Sequence, residues 1–449
     1  MVASDTSAGR SIFAQAFEDL PQHWSVAPLE EYVYFQEGPG IRNWQYRPFG
    51  IPFVNIRCLK DGRLDVNSMS FVDPLEVDQK YSHFLLDPED FVVSSSGTLG
   101  RLAEVRAADL PCMLNTSVIR MRPRRVDLDR KFLKVFLMSS LFQRQILSLA
   151  SGSAQLNYGP SHLRQMLICV PPISEQRAIA SILGALDDKI ELNRKMSATL
   201  EAMARALFKS WFVDFDPVRA KSEDRDPGLP PEIAALFPDS FEDSELGDIP
   251  KRWRASSLGE VAVNERRGIS HNDIPEGTPY IGLEHMPRRS IALGRWDHAA
   301  QLESNKSQFR QGDILFGKLR PYFHKVGVAP VAGVCSTDIL VVSPASTDWA
   351  AFVLMHLSSD ELVAHTDRCS TGTKMPRASW EHISRYEVTL PPVTVVRSFT
   401  MAIAPMAERI VAAIHESRTL AVLRDALLPK LISGELRVTE AERTLEESA

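Results

Sequence analysis

The chain nearly repeats itself, and this constrains its fold more than any single motif. Segments of the second half answer segments of the first at an offset of 220 residues. Pro171-Pro172 recurs as Pro391-Pro392, and Gly152-Ser153 recurs as Gly372-Thr373. Behind each proline pair runs a helical pattern whose seven-residue steps also match: Ile179, Leu186, Asn193, Leu200 and Leu207 map onto Phe399, Met406, Ala413, Leu420 and Leu427. Upstream, Glu89-Asp90-Phe91-Val92-Val93 answers Gly312-Asp313-Ile314-Leu315-Phe316 at an offset of 223, so loops have changed length. A chain of 449 residues is too long for one hydrophobic core. The repeat predicts two similar globular parts, each followed by a long helix.

Composition narrows the class. The chain is 44% apolar and 24% charged, as in ordinary soluble proteins. It has no run of the roughly 20 apolar residues that a membrane span needs, and its first residues form no continuous apolar block, so a cytoplasmic location is expected. Cys58, Cys112, Cys169, Cys335 and Cys369 are scattered, with no CxxC pair, which argues against a disulfide framework or a structural zinc site. A net charge of -6 by itself argues against nucleic acid. The acids, however, crowd residues 222–248 and the tail from Glu440. The remaining parts keep basic runs: Arg120, Arg122, Arg124, Arg125, Arg130 and Lys131, then Lys318, Arg320, His324 and Lys325.

Short apolar runs broken by turn residues predict strands, as at Ile51-Pro52-Phe53-Val54, Phe91-Val92-Val93 and Ser117-Val118-Ile119, with Asp61-Gly62 as a turn. A helix is expected over 129–150 and its counterpart over 349–365, giving α+β units. Ser174, and Thr394 in the second copy, are placed to cap the long helices, and Glu175 suits a first turn. About 38 residues of helix span roughly 57 Å at 1.5 Å per residue. Such a helix needs a partner. Ile182, Met196 and Met203 add the second heptad position to the series from Ile179, and the seam that matches it in length is its own repeat. The economical arrangement is an intramolecular antiparallel pair with Asn193 fixing its register. Pro405 should kink the second helix. The expected division is an extension (1–21), a first globular domain (22–172), a first long helix (173–213), an acidic Pro-rich linker (214–249), a second domain (250–392), a second long helix (393–436) and an acidic tail (437–449).

Catalytic constellations are missing from the sequence. There is no GxxxxGK[ST] loop and no HExxH helix. Gly97-Thr98-Leu99-Gly100 and Gly38-Pro39-Gly40 read as turns. Asp214-Phe215-Asp216-Pro217 lacks the second proline and the aromatic of a methyltransferase Asp-Pro-Pro-Tyr loop. Asp187-Asp188 is expected on an exposed helix face. His162 and His382 share the 220 offset, but no nucleophile accompanies them.

Several stretches carry a family resemblance. Pro171-Pro172-Ile173-Ser174-Glu175-Gln176-Arg177-Ala178-Ile179 and Leu207-Phe208-Lys209-Ser210-Trp211-Phe212-Val213-Asp214-Phe215-Asp216-Pro217-Val218 resemble the central region of the specificity (S) subunits of Type I restriction-modification enzymes. Gln36-Glu37-Gly38-Pro39-Gly40-Ile41 and Ile432-Ser433-Gly434-Glu435-Leu436-Arg437-Val438 are similar to that family too. The resemblance implies two target recognition domains separated by two long antiparallel helices, related as a pseudo-twofold repeat, each domain reading half of a bipartite double-stranded DNA target. It also implies two copies of a methyltransferase (M) subunit carrying S-adenosylmethionine, and a restriction/translocase (R) subunit using ATP and Mg. The chain itself would be a non-catalytic reader with no metal and no cofactor.

On that basis the DNA-binding candidates are Gly152, Ser153, Gln155 and Tyr158 with Gly372, Thr373 and Lys374, then Ser94, Ser95, Ser96 and Arg101 with Lys318, Arg320 and Tyr322. An orphan or inactive DNA reader, or a coiled-coil scaffold that binds protein, are the alternatives. In the second copy Thr394-Val395-Val396 replaces Ser174-Glu175-Gln176, so the second helix is expected to dock differently.

Overall fold

The computed structural model describes residues 13, 17–60, 62–151, 156–299, 303–370, 375–441 and 443. It divides into two compact units: residues up to Asp188 together with those from Leu420 onward, and Lys189–Thr419. Two helices of 40 residues, Ile173–Phe212 and Val393–Ile432, each contribute a segment to both units. No helix among the described residues is long and apolar enough to cross a membrane.

The two units repeat one plan. In the first, Val33–Glu37, Val118–Pro123, Phe91–Ser94 and Leu102–Glu104 lie side by side in an antiparallel run that continues into Gly62–Leu64 and Leu59–Lys60. In the second, Ala262–Asn264, Ile339–Pro344, Ile314–Gly317 and Val326–Val328 take the same order. The central strands Phe91–Ser94 and Ile314–Gly317 are buried at every position, which is why they read as continuous apolar runs rather than alternating ones. A second sheet in each unit contains a parallel pair, Phe53 against Met113 and Ile281 against Cys335. Strand Ser25–Pro28 pairs with Leu167–Val170 just before the first long helix, as Arg254–Ser257 pairs with Glu387–Leu390 before the second.

Each helical stretch expected as one piece is two. Arg130–Met138 and Ser140–Leu149 break at Ser139, whose hydroxyl accepts from Phe142 N–H at 3.3 Å. Ala350–Leu357 and Asp360–Arg368 break before Ser359, whose hydroxyl accepts from Leu362 N–H at 3.2 Å. A serine that caps a new helix here outcompetes continuation of the old one. The long helices, by contrast, are not capped by Ser174 or Thr394, which lie inside them. The Pro172 carbonyl already accepts from Gln176 N–H at 3.0 Å, and the Pro392 carbonyl from Val395 N–H at 3.0 Å.

Within each unit the long-helix segments pack antiparallel. In the first, Ile179, Leu183 and Leu186 share a buried core with Leu427, Leu431 and Ile432. Asp187 is not a bystander on an exposed face, because Arg424 of the second helix donates to it at 2.8 Å. In the second unit, Phe208 and Phe212 pack on Phe399 with ring centroids 6.2 and 4.9 Å apart. Asn193 is buried, and its amide donates to Glu416 at 2.9 Å and Ser417 at 3.3 Å, while Lys189 pairs with Glu416 at 3.1 Å.

The buried stripe leaves the strict seven-residue series as it advances. Leu200 and Leu207 are half-buried and Met203 is 51% exposed, while Glu201, Ala204 and Phe208 are buried. A straight helix of 3.6 residues per turn drifts about 20° per heptad, so after four heptads the inward position has moved one residue on, from 207 to 208. Pro405 does not interrupt the second helix. Pro405 and Met401, whose carbonyl loses its helical donor, both lie on the exposed face, where water can replace the missing bond.

The acidic segment 214–249 is folded rather than a bare linker. It carries the helices Asp216–Ser222 and Pro231–Ala234 and the hairpin Phe241–Ser244 with Gly247–Pro250. Phe215, Val218, Phe237 and Ile249 are buried, and Trp211 meets Phe237 edge-on at 5.0 Å. Its acids from Glu223 to Asp248 are exposed, so charge and anchoring aromatics occupy opposite sides of one segment.

The copies differ where the sequence departs. Gln176 is fully buried, donates to the Asp127 and Pro171 carbonyls and accepts from Asp129 N–H, while Glu175 accepts from Trp24 at 2.9 Å and from His23. At the matching places Val395 and Val396 enter an apolar core.

Replacing Leu186 by Ala should cost about 2–5 kcal/mol and Met203→Ala no more than about 0.5 kcal/mol in urea unfolding of the full chain; similar losses would show the stripe misassigned. Burial alone would raise the Glu416 carboxyl, but Asn193 and Lys189 hold it below its ordinary 4.5. The deficit of Asn193→Ala in urea midpoint should therefore be complete above pH 4.5 and shrink as the pH falls through the lowered value.

Candidate nucleic-acid interface

In both units the central strand ends in a turn that the polypeptide meets again about sixty residues later. Ser95 N–H donates to the Ser117 carbonyl at 3.0 Å and its carbonyl accepts from Tyr158 N–H at 3.0 Å. In the second unit Lys318 N–H donates to Asp338 at 3.0 Å and its carbonyl accepts from Ala378 N–H at 2.8 Å. The bridges Ser96 to Asn157 and Leu319 to Arg377 complete the match. These bonds align the two turns residue by residue, and both place a left-handed residue next: Gly97 at φ 68° and Arg320 at φ 52°.

The first turn is closed from within. The Ser94 hydroxyl donates to the Thr98 carbonyl at 2.6 Å and accepts from Arg101 N–H at 2.9 Å, and the Ser95 hydroxyl donates to Thr116 at 3.4 Å. Ser94, Ser95 and Tyr158 are all buried, and the two serine hydroxyls are committed to these internal bonds. Tyr158 has no partner for its hydroxyl among the described residues. Ser96 is half-buried, and Thr98 and Arg101 are exposed. Gly100 stands at φ 72°, where a Cβ would come within 2.1 Å of Gln143 Oε1. Gly152, Ser153, Gln155, Gly372, Thr373 and Lys374 lie outside the described residues.

The second turn presents more. Arg320 and His324 both adopt left-handed backbone, which for residues other than glycine costs about 1–3 kcal/mol each. Tyr322 is exposed against Phe323, with centroids 4.7 Å apart, and the Arg288 guanidinium lies 4.0 Å over the Phe323 ring. Lys318, half-buried, lines a cleft of about 480 Å³ with Asn264, Arg266, Ser307, Thr337 and Trp380. Neither Arg266 nor Trp380 was singled out by motif, although Asn264-Glu265-Arg266-Arg267 is a visible polar run. Trp44 and Phe49, 72% and 79% exposed, are further surface aromatics that apolar patterning does not distinguish from core.

Four cations of the first-half basic run are internally paired. Arg120 is buried against Asp90 at 3.4 Å and also donates to Gln36 and the Leu85 carbonyl. Arg122 pairs with Asp87 at 2.7 Å, Arg125 with Asp127 at 2.8 Å and Arg130 with Glu104 at 2.6 Å. His162 accepts from Gly159 N–H at 3.1 Å, and His382 occupies the matching short helix, Trp380–Ser384.

Residues 45–202 match the family model described as the Type I restriction modification DNA specificity domain. The MjaIX specificity subunit of Methanocaldococcus jannaschii, a Type I restriction enzyme component, is 25% identical over 439 residues, covering 94% of this chain and 95% of its own. Over most of its length the chain is similar to Type I restriction specificity subunits. The HindI specificity subunit of Haemophilus influenzae is 24% identical over 60% of this chain and 68% of its own. The crystal structure of the Type I restriction-modification S subunit from M. genitalium has this fold, with a TM-score of 0.52 at 14% identity, covering 92% of this chain and 96% of that one.

Asp90→Ala should take from the buried Arg120 its nearest carboxylate, at a cost of about 3–5 kcal/mol. Thermal unfolding should register that loss, whereas Arg125→Ala, on the surface, should change stability by no more than about 1 kcal/mol. Equal effects would mean that the basic run is not internally committed.

Proposed function

We propose that this chain reads a bipartite double-stranded DNA sequence, one half-site per unit, and brings it to methyltransferase and restriction subunits. The observation that carries this is the duplication itself. One α+β plan occurs twice with its turns aligned by equivalent backbone bonds, and both copies share two continuous helices. The match of residues 45–202 to a DNA specificity domain supports DNA as the ligand of this plan. Two reading modules tied to helices of fixed rise make the gap between half-sites a geometric constant.

Methylation and cleavage then belong to the partners, with S-adenosylmethionine in two methyltransferase copies and ATP with Mg in the restriction subunit. Leu192, Met203, Met401 and Val422 are exposed apolar positions on the long helices and suit a docked partner. Among the described candidates, Ser96 and Arg101 in the first unit, and Lys318, Arg320 and Tyr322 in the second, are placed to meet phosphates and base edges.

Co-expression with the methyltransferase partner in a methylation-free host, followed by genome-wide mapping of modified adenines, tests the reading. A split motif with a constant gap is the expected result. A stable complex without methylation would instead leave a scaffold or an inactive reader. Lengthening both long helices by one heptad adds about 10 Å of rise, close to three base pairs at about 3.4 Å each. The mapped gap should change while both half-sites stay the same; altered half-sites with an unchanged gap would refute the ruler.

A further inference from the structure

We propose that the cleft of the second unit holds a DNA backbone phosphate and that the first unit lacks this site, an inference that rests on the DNA-recognition reading above. Two cations face the cleft without a countercharge. Lys318 and Arg266 both line it, and neither side chain has a hydrogen bond or ion pair among the described residues. The carboxylate in the same wall, Glu265, is already matched by Arg267 at 3.0 Å, and Arg267 also pairs with Asp313 at 2.8 Å. Positive charge is therefore in excess. Asn264, Ser307, Thr337 and Ser379 add amide and hydroxyl groups to the wall, so an oxyanion entering here finds both charge and donors.

The first unit shows what the same place becomes when it is not a site. The shared backbone bonds align Lys318 with Ser95 and Ala378 with Tyr158. Strand register aligns Asn264, opposite Val342, with Phe35, opposite Met121, which places Glu37 where the second unit has Arg266. Lysine, arginine and alanine in one copy are thus serine, glutamate and tyrosine in the other. Tyr158 is buried and brings a ring where Ala378 has only a methyl group, and Glu37 puts a carboxylate where a phosphate would need a cation. The exchange opens the cleft and reverses its charge together, which a random drift of surface residues does not require. The two half-sites are then gripped by different means.

The test uses the full chain and a duplex carrying the mapped motif, with affinity measured across a range of salt. Each phosphate contact removed lowers the slope of log affinity against log salt by about 0.9. Lys318→Ala and Arg266→Ala should each lower it by about that amount, and the double variant by about 1.8. Ser95→Ala, at the matching place in the first unit, should leave the slope unchanged. Ala378→Tyr should lower the slope with no cation removed, because the new ring refills the cleft. Lys318 and Arg266 bear no interior contact whose loss would unfold the chain, so a folding failure of Ala378→Tyr leaves their result decisive. Unchanged slopes in both charge variants, with the unaltered chain binding normally, would overturn the cleft and spare the DNA reader. No binding by the unaltered chain would overturn both.

Discussion

A helix of 40 residues with an apolar stripe cannot hide that stripe alone, and each long helix here hides its own against the other. Ile179, Leu183 and Leu186 meet Leu427 and Leu431 in one unit, and Phe208 and Phe212 meet Phe399 in the other. Between these apolar stretches sit polar bonds that only one alignment satisfies: Arg424 to Asp187, and Asn193 to Glu416 and Ser417. Apolar contact supplies the attraction, whereas the buried amide penalises every sliding misfit, since a shift would leave it unpaired. Each globular unit contains its own part of this pairing. Each is attached to it directly by a strand that runs into a proline pair and then into the helix.

Much of this was legible in the sequence because duplication prints the same physics twice. The proline pairs, the central apolar strands and the long helices all announced themselves by their spacing. The helix breaks at Ser139 and Ser359 were legible too, being serines at the same offset, but the apolar pattern crossing them masked the signal. The drift from Leu207 to Phe208 could have been reached from helix geometry alone. The folded segment 214–249 was hidden by its acids, which dominate composition although Phe215, Val218 and Phe237 decide its packing.

The site was less readable, for a physical reason. Ser94, Ser95 and Tyr158 are residue types that serve equally well as contacts or as internal donors, and only their burial separates the two roles. The basic run from Arg120 to Arg130 likewise depends on acids distant in sequence, Asp87, Asp90 and Glu104, for its neutralisation. The cleft beside Lys318 is assembled from residues 264 to 380, so no local window contains it. Divergence between the copies proved as informative as their likeness, since Gln176 against Val396 and Tyr158 against Ala378 mark where one scaffold is packed in two ways.

One unit is continuous in the chain, from Lys189 to Thr419, while the other closes only with residues from Leu420 onward. During synthesis the first unit therefore waits. Its helix segment carrying Ile179, Leu183 and Leu186 must stay uncovered until Leu427, Leu431 and Ile432 have left the ribosome. A chain that terminates early retains a complete second unit and an open apolar groove on the first, a surface suited to capture by chaperones or proteases. Completion of the first core thus depends on the segment from Leu420 onward.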